Sequence, residues 1–282
     1  MDLAAMEHST ALCIFIFLLS IAFVYDRLTK SIPSRLNHKQ APRSAFGIVP
    51  VNGDDFPTRA DGVDLVFVHG LGSNPDTTWR AKASQHDGAS PDTKRFVNWV
   101  SDFLPDDLQT AQRNIRTFFY NYDTYWQRDA VDSRLQTLGN EFLEELYSKV
   151  YKSESERSRH LILVAHSHGG LVIKQALVQA QLHAKFGFIV ESTQAILFLG
   201  TPHRGTTFGE WGWVFAQALR PLGSNPSILA DLGYDAFPLR DLHTNFVKAT
   251  GTNMQIFNFF EKRRTPLLRM WFVQWQQFVM RS

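Results

Sequence analysis

The stretch His160-Leu161-Ile162-Leu163-Val164-Ala165-His166-Ser167-His168-Gly169-Gly170-Leu171-Val172-Ile173-Lys174-Gln175-Ala176-Leu177 decides the fold. Its first part, His160 to Ala165, is an apolar run of the Leu-Ile-Leu-Val kind, the pattern of a strand buried on both faces. Gly170 to Ala180 reads as a helix. Between them, Ala165-His166-Ser167-His168-Gly169 is a small-x-Ser-x-Gly turn, where a strained passage from strand to helix lifts the serine hydroxyl out of the sheet. Small residues are needed two before and two after the serine because the strand and helix backbones approach closely. Ala165 stands where glycine is commoner, a change of one methyl, and Gly169 and Gly170 follow. The N-terminus of the helix points main-chain donors and a positive dipole end at the site, which favours a developing oxyanion. Ser167 is the candidate nucleophile.

Working outward, strands and helices alternate, which argues for an α/β fold with a mostly parallel sheet and helices on both faces. Val63 to Val68 is a short buried strand closed by His69-Gly70, and Ile115 to Tyr120 is β-branched and aromatic, hence a strand. Leu135, Leu138, Phe142, Leu146 and Val150 keep helical spacing. Ala195 to Gly200 and Met254 to Phe260 are further strands. Phe96 to Leu104 is expected to be a helix stopped by Pro105, and residues 205–245 an insertion over the C-terminal edge of the sheet. Residues 31–60 hold four prolines and no sustained period, and read as a linker running into an edge hairpin. The hydrolase-type domain is placed at 61–262. A glycine loop after Val68 is where such enzymes put their other oxyanion donor, so the main-chain N–H groups of Leu71 and His168 are the expected pair.

Several ordered blocks carry a resemblance. Val68-His69-Gly70-Leu71-Gly72, Thr78-Trp79, residues 165–177 and Phe198-Leu199-Gly200-Thr201-Pro202-His203-Arg204-Gly205 look like the serine-active-site-containing, lipase-like α/β hydrolases. Related sequences include the GPI inositol-deacylases and the hydrolase domains of many fungal multidomain receptors. The resemblance implies an α/β-hydrolase fold and hydrolysis or remodelling of a carboxylic or lipid ester at mitochondrial or endoplasmic reticulum membranes. On this fold the chain order is Ser, Asp or Glu, then His. Glu261 holds the position that the family gives to the acid, directly after an aromatic pair that ends a late strand.

No histidine follows Glu261. The family continues with a strand and an Asp-His loop, whereas this chain reads Lys262-Arg263-Arg264-Thr265-Pro266, which leads into an atypical amphipathic tail, 263–282. That departure leaves two readings of the tail: an end that does not represent the full product, with the C-terminal part of the fold incomplete, or a segment covering the sheet edge or lying on a membrane surface. Among the other histidines, His166 and His168 should point away from the serine hydroxyl. His203 follows a strand end on the functional edge and could approach Ser167, but a structural role is favoured for it, and His243 reads as packed or solvated. A catalytically silent hydrolase fold, used as a binding or regulatory module, is therefore the alternative to an esterase.

Charge narrows the partners. The chain carries a net +2, and residues 1–43 already account for all of it, so the globular part presents no basic field for nucleic acid. Protein partners are not legible. The single cysteine, Cys13, excludes an intrachain disulfide. Cys13 lies in the apolar run Ala11–Tyr25, within a hydrophobic segment at 1–30 that is followed by basic residues and preceded by acidic ones. This pattern favours a membrane anchor with the hydrolase domain on the cytosolic side over a cleaved leader or a helix packed on the core. No His, Cys and carboxylate cluster has ligand spacing, so neither a metal nor an organic cofactor is expected.

Overall fold

Along the run at 160–166 the side chains alternate between two cores, as the period of a strand requires. Leu161, Leu163 and Ala165 join one apolar cluster, and Ile162 and Val164 join the other. The computed structural model describes residues 46–51, 60–82, 96–109, 114–123, 131–203, 237–251, 253–260 and 276–277. In chain order the elements are β1 (Gly47–Pro50), β2 (Val63–Val68), α1 (Pro75–Thr78), β3 (Arg80–Lys82), β4 (Phe96–Asn98), α2 (Trp99–Asp102), α3 (Leu104–Gln109) and β5 (Ile115–Asn121). Then come α4 (Val131–Glu145), which runs on into a π-helical turn at Leu146–Val150, α5 (Glu154–Arg157), β6 (His160–His166), α6 (Gly169–Leu182), α7 (Gly187–Ser192) and β7 (Thr193–Leu199). The last are α8 (Phe237–Thr250), β8 (Gln255–Phe260) and β9 (Gln276–Gln277).

Seven strands form one sheet in the order β1-β5-β2-β6-β7-β8-β9. The five strands from β5 to β8 are parallel, and β1 and β9 pair antiparallel at the two sides. The α/β fold expected from the alternation of elements is what the chain adopts. One core packs Val66, Val68, Leu163 and Phe198 of the sheet against Leu138 and Phe142 of α4, Leu171 and Ala176 of α6 and Phe246 of α8. The opposite core packs Leu65, Phe67, Val164 and Leu197 against Trp79, Val100 and Leu104. Each fully buried side chain of this size contributes roughly 1.5–3 kcal/mol by leaving water.

The path of the chain matters more than the layer count. From β2 it crosses to β5 on one side and returns to β6 on the other, so the winding direction reverses at β2. Open α/β sheets place their ligands at the carboxyl ends of the strands beside such a reversal. Here those ends belong to β2 and β6.

Two expectations change. Phe96 to Leu104 is not one helix: Phe96–Asn98 pairs antiparallel with Arg80–Lys82, and Pro105 lies inside α3 instead of stopping a helix. Proline is tolerated there because the first turn of a helix has N–H groups without intrahelical partners. The segment read as a linker also supplies β1, whose Pro50 stands on an outermost strand, where a missing N–H costs no central ladder bond.

Far from those carboxyl ends, the first residues of β2 and β5 meet in a buried ion cluster. Arg116 binds Asp64 through two hydrogen bonds of 2.8 Å and reaches Glu156 at 2.8 Å, while Arg159 donates to Asp64 at 2.9 Å. Asp64 has 0 % of its surface exposed, so its charge is tolerable only because two guanidiniums surround it. Asp64→Ala leaves both guanidiniums without their shared partner. Its expected cost is about 3–5 kcal/mol of stability, read from urea denaturation against the parent chain.

Candidate active site

The register of the parallel strands brings the pieces of the site together. Val68 pairs with Ala165, His166 with Leu199, and Leu199 with Phe259, so β2, β6, β7 and β8 end side by side. Ser167 is the next residue after β6. Its φ is +52°, and it is the one non-glycine residue with positive φ among the described residues. An L-residue held there is strained by about 1–2 kcal/mol, so its surroundings must enforce the turn. Its N–H donates to the Leu199 carbonyl at 2.9 Å, and its carbonyl accepts from the Gly170 N–H at 3.1 Å.

Close packing explains the small residues. A Cβ on Gly169 would run into the His69 carbonyl and lie 2.7 Å from the Val68 carbonyl, and one on Gly170 would strike the Thr201 side chain. The start of α6 thus rests directly on the end of β2. Gly70 closes the gap from the other side, since a Cβ there would lie 3.0 Å from the Ser167 Cβ. Serine and glycine loop are therefore neighbours, with Leu71 following Gly70 in the loop and His168 following Ser167 at the start of α6.

Around them lies a buried polar network. The Gly70 carbonyl is 2.9 Å from His69 Nδ1 and accepts the Ser73 hydroxyl at 2.8 Å. His69 Nε2 lies 3.2 Å from the Tyr122 N–H, which donates to it, and 3.1 Å from the Asn121 carboxamide. The Tyr122 hydroxyl donates to the His69 carbonyl at 2.9 Å and lies 3.2 Å from His168 Nδ1. The Tyr122 and His69 rings stack at 4.4 Å. Burial holds the His69 imidazole down at about 4, so it is neutral at pH 7, and the same cause holds His166 at about 4.

The other histidines sit apart from this arrangement. His203, edge-on to Phe198 at 4.8 Å, is pushed down to about 3 by burial and by the positive charge of Lys174. His243 pairs its Nδ1 with Lys174 Nζ at 3.2 Å. Lys174 is 1 % exposed, and burial lowers its amine to about 7. The hydrogen bonds of the His69, His168 and His243 rings go to groups other than the Ser167 hydroxyl. Glu261 lies outside the described residues. It follows Phe260, the last residue of β8, whose neighbour Phe259 takes the Gly200 N–H at 2.7 Å on the edge where Ser167 emerges. Sequence reasoning missed Tyr122 and Lys174. Each sits in an ordinary aromatic or helical context, and only the fold reveals what it touches.

Buried neutral histidines make stability depend on pH in a definite direction. Unfolding raises His69, His166 and His203 to an ordinary value near 6.5, so the unfolded chain binds more protons below that pH. Their contribution is complete above pH 6.5 and is lost as pH falls toward about 4. The expected slope is about 1.4 kcal/mol per pH unit for each such histidine within the window. Denaturation midpoints measured between pH 7.5 and 4.5 check it.

Comparison with known proteins agrees with this geometry. The profile of the PGAP1-like alpha/beta domain matches residues 59–211, which include both the Gly70 loop and the Ser167 turn. Protein SERAC1 of Mus musculus is 27% identical over 212 residues, covering 72% of this chain and 30% of its own length. Protein SERAC1 of Danio rerio is 30% identical over 222 residues, covering 73% and 32%. The chain thus spans about a third of the length of these curated relatives. Among solved structures, phospholipase PlaB from Legionella pneumophila is 12% identical with a TM-score of 0.47, covering 72% of this chain and 39% of that one. On the family profile and the strand order, the chain belongs to the PGAP1-like alpha/beta domain family and has an α/β-hydrolase fold.

Proposed function

We propose that the protein hydrolyses a carboxylic ester carried by a lipid, with Ser167 as nucleophile and the main-chain N–H groups of Leu71 and His168 as oxyanion donors. Ser167 at φ +52°, facing the Gly70 loop, carries this reading. A serine held in that conformation is strained, and the strain is useful only where the hydroxyl must stand clear of the sheet. Two main-chain donors aimed at one oxygen are worth about 2.7–4 kcal/mol each in the transition state. Glu261 is the proposed acid, two residues past the strand position paired with Leu199. Family membership supports a lipid-ester substrate in membrane lipid metabolism.

A second reading has its own observation. His69, His168 and His243 are each engaged by groups other than the Ser167 hydroxyl, and without a base such a serine keeps only the weak catalysis that oxyanion donors and binding supply. A fold of that kind would serve as a binding or regulatory module. A fluorophosphonate probe separates the two. The expected outcome is labelling of the parent chain and its loss in Ser167→Ala; a folded parent chain that is not labelled is a silent module.

Membrane attachment through residues 1–30, at a mitochondrial or endoplasmic reticulum membrane with the domain on the cytosolic side, belongs to the same proposal. These residues lie outside the described ones, and no helix among the described residues is long and apolar enough to cross a membrane. Alkaline carbonate extraction should leave the full chain in the pellet and release a chain starting at Pro33. Equal release of both would discard the anchor.

A further inference from the structure

We propose that Tyr122 is a positioning residue that sets the two oxyanion donors against each other, an inference that rests on the ester-hydrolase reading of the same site. The two donors belong to segments far apart in sequence. Leu71 lies on the loop after β2, and His168 lies at the start of α6. Tyr122 belongs to neither, since it follows β5. Nevertheless its hydroxyl touches both segments, the His69 carbonyl at 2.9 Å and His168 Nδ1 at 3.2 Å.

Proton counting gives the network a direction. A carbonyl only accepts, so the single Tyr122 hydroxyl proton goes to the His69 carbonyl. The Tyr122 oxygen then accepts from His168, whose ring proton must be on Nδ1. By the same rule His69 carries its proton on Nδ1 and donates to the Gly70 carbonyl, leaving Nε2 to accept the Tyr122 N–H, and the Asn121 carboxamide beside it must then present its NH2 to Nε2. In a trans peptide the carbonyl of one residue and the N–H of the next point in opposite directions. Gripping the Gly70 carbonyl from His69 and Ser73 therefore turns the Leu71 N–H the other way.

Tyr122 thus acts on one donor through His69 and on the other through the His168 side chain. Its ring adds stiffness by stacking on His69 at 4.4 Å and on Tyr120 at 5.5 Å. Two amides held at a constant separation bind an oxyanion without reorganising during the reaction, and that preorganisation is the source of their catalytic value. Without the hydroxyl, the Gly70 loop and the start of α6 keep their packing and lose the pin between them.

The experiment uses the full chain and three variants. Tyr122→Phe removes one oxygen and keeps the stacked ring. On a p-nitrophenyl ester it should lower kcat by about 10- to 100-fold, less than or equal to the loss of one donor, with KM within about twofold. Ile189→Ala, a core change in α7 next to the amino end of β7, should lower the denaturation midpoint and leave kcat within about twofold. If it lowers kcat as much as Tyr122→Phe does, general destabilisation explains both and the proposal falls.

Imidazole nitrogen NMR of the parent chain, assigned with His168→Gln, provides a readout that a purely structural tyrosine would not move. His168 should carry its proton on Nδ1 in the parent and shift in Tyr122→Phe. A proton on Nε2 in the parent overturns the network whether or not the protein turns over esters. Conversely, the expected NMR pattern in a chain with no turnover and no Ser167-dependent labelling removes the hydrolase reading and Tyr122's positioning role with it. The expected NMR pattern in an active enzyme whose kcat is unchanged by Tyr122→Phe overturns the positioning role alone.

Discussion

The first turn of α6 rests on the main chain at the end of β2, and the rest of the site depends on that contact. At Gly169 there is no room for a single methyl between the helix and the Val68 and His69 carbonyls. So close an approach forces the chain to turn within one residue of leaving β6. The turn pushes Ser167 into the left-handed region, and the ladder bond to Leu199 holds it there. A strained residue survives only where its surroundings over-determine it. Here a parallel strand on one side and a glycine loop on the other do so.

The two ends of the sheet solve opposite electrostatic problems. At the amino ends of β2 and β5, full charges are buried and neutralise one another, with Asp64 between Arg116 and Arg159. This clamps the strands in register but leaves nothing free to act on a substrate. At the carboxyl ends, burial keeps the His69 and His166 imidazoles neutral, and Tyr122 joins the His69 carbonyl to the His168 ring. The start of α6 adds main-chain dipoles beside Ser167. Such a field favours charge that develops during a reaction over charge already present.

Lys174 fits neither pattern. It lies two turns past the serine, almost fully buried, with His243 as its polar neighbour and the Phe198 and Phe246 rings at 5.8 and 5.3 Å. Burial brings its amine down to about 7, and charged or neutral it can donate to an imidazole nitrogen. Its structural consequence is that α8 is tied to α6 by a polar contact inside an otherwise apolar interface.

What residue order determined by itself is local: the strand at 160–165, the serine turn, the glycine loop after Val68 and the helix whose apolar face repeats from Leu135 to Val150. Each of these is written within a single window, where the period of apolar residues and the size of a side chain decide the outcome. Other features were decided only when distant segments met. Phe96–Asn98 became a strand because Arg80–Lys82 pairs with it, against a local pattern that also suits a helix. Asp64 found Arg116 and Arg159 through strand pairing. Tyr122 came to bridge His69 and His168 because the reversal at β2 sets the end of β5 beside it. A hydrogen bond across some fifty residues leaves no periodicity to read, since its partners become neighbours through the sheet register and not through their spacing along the chain.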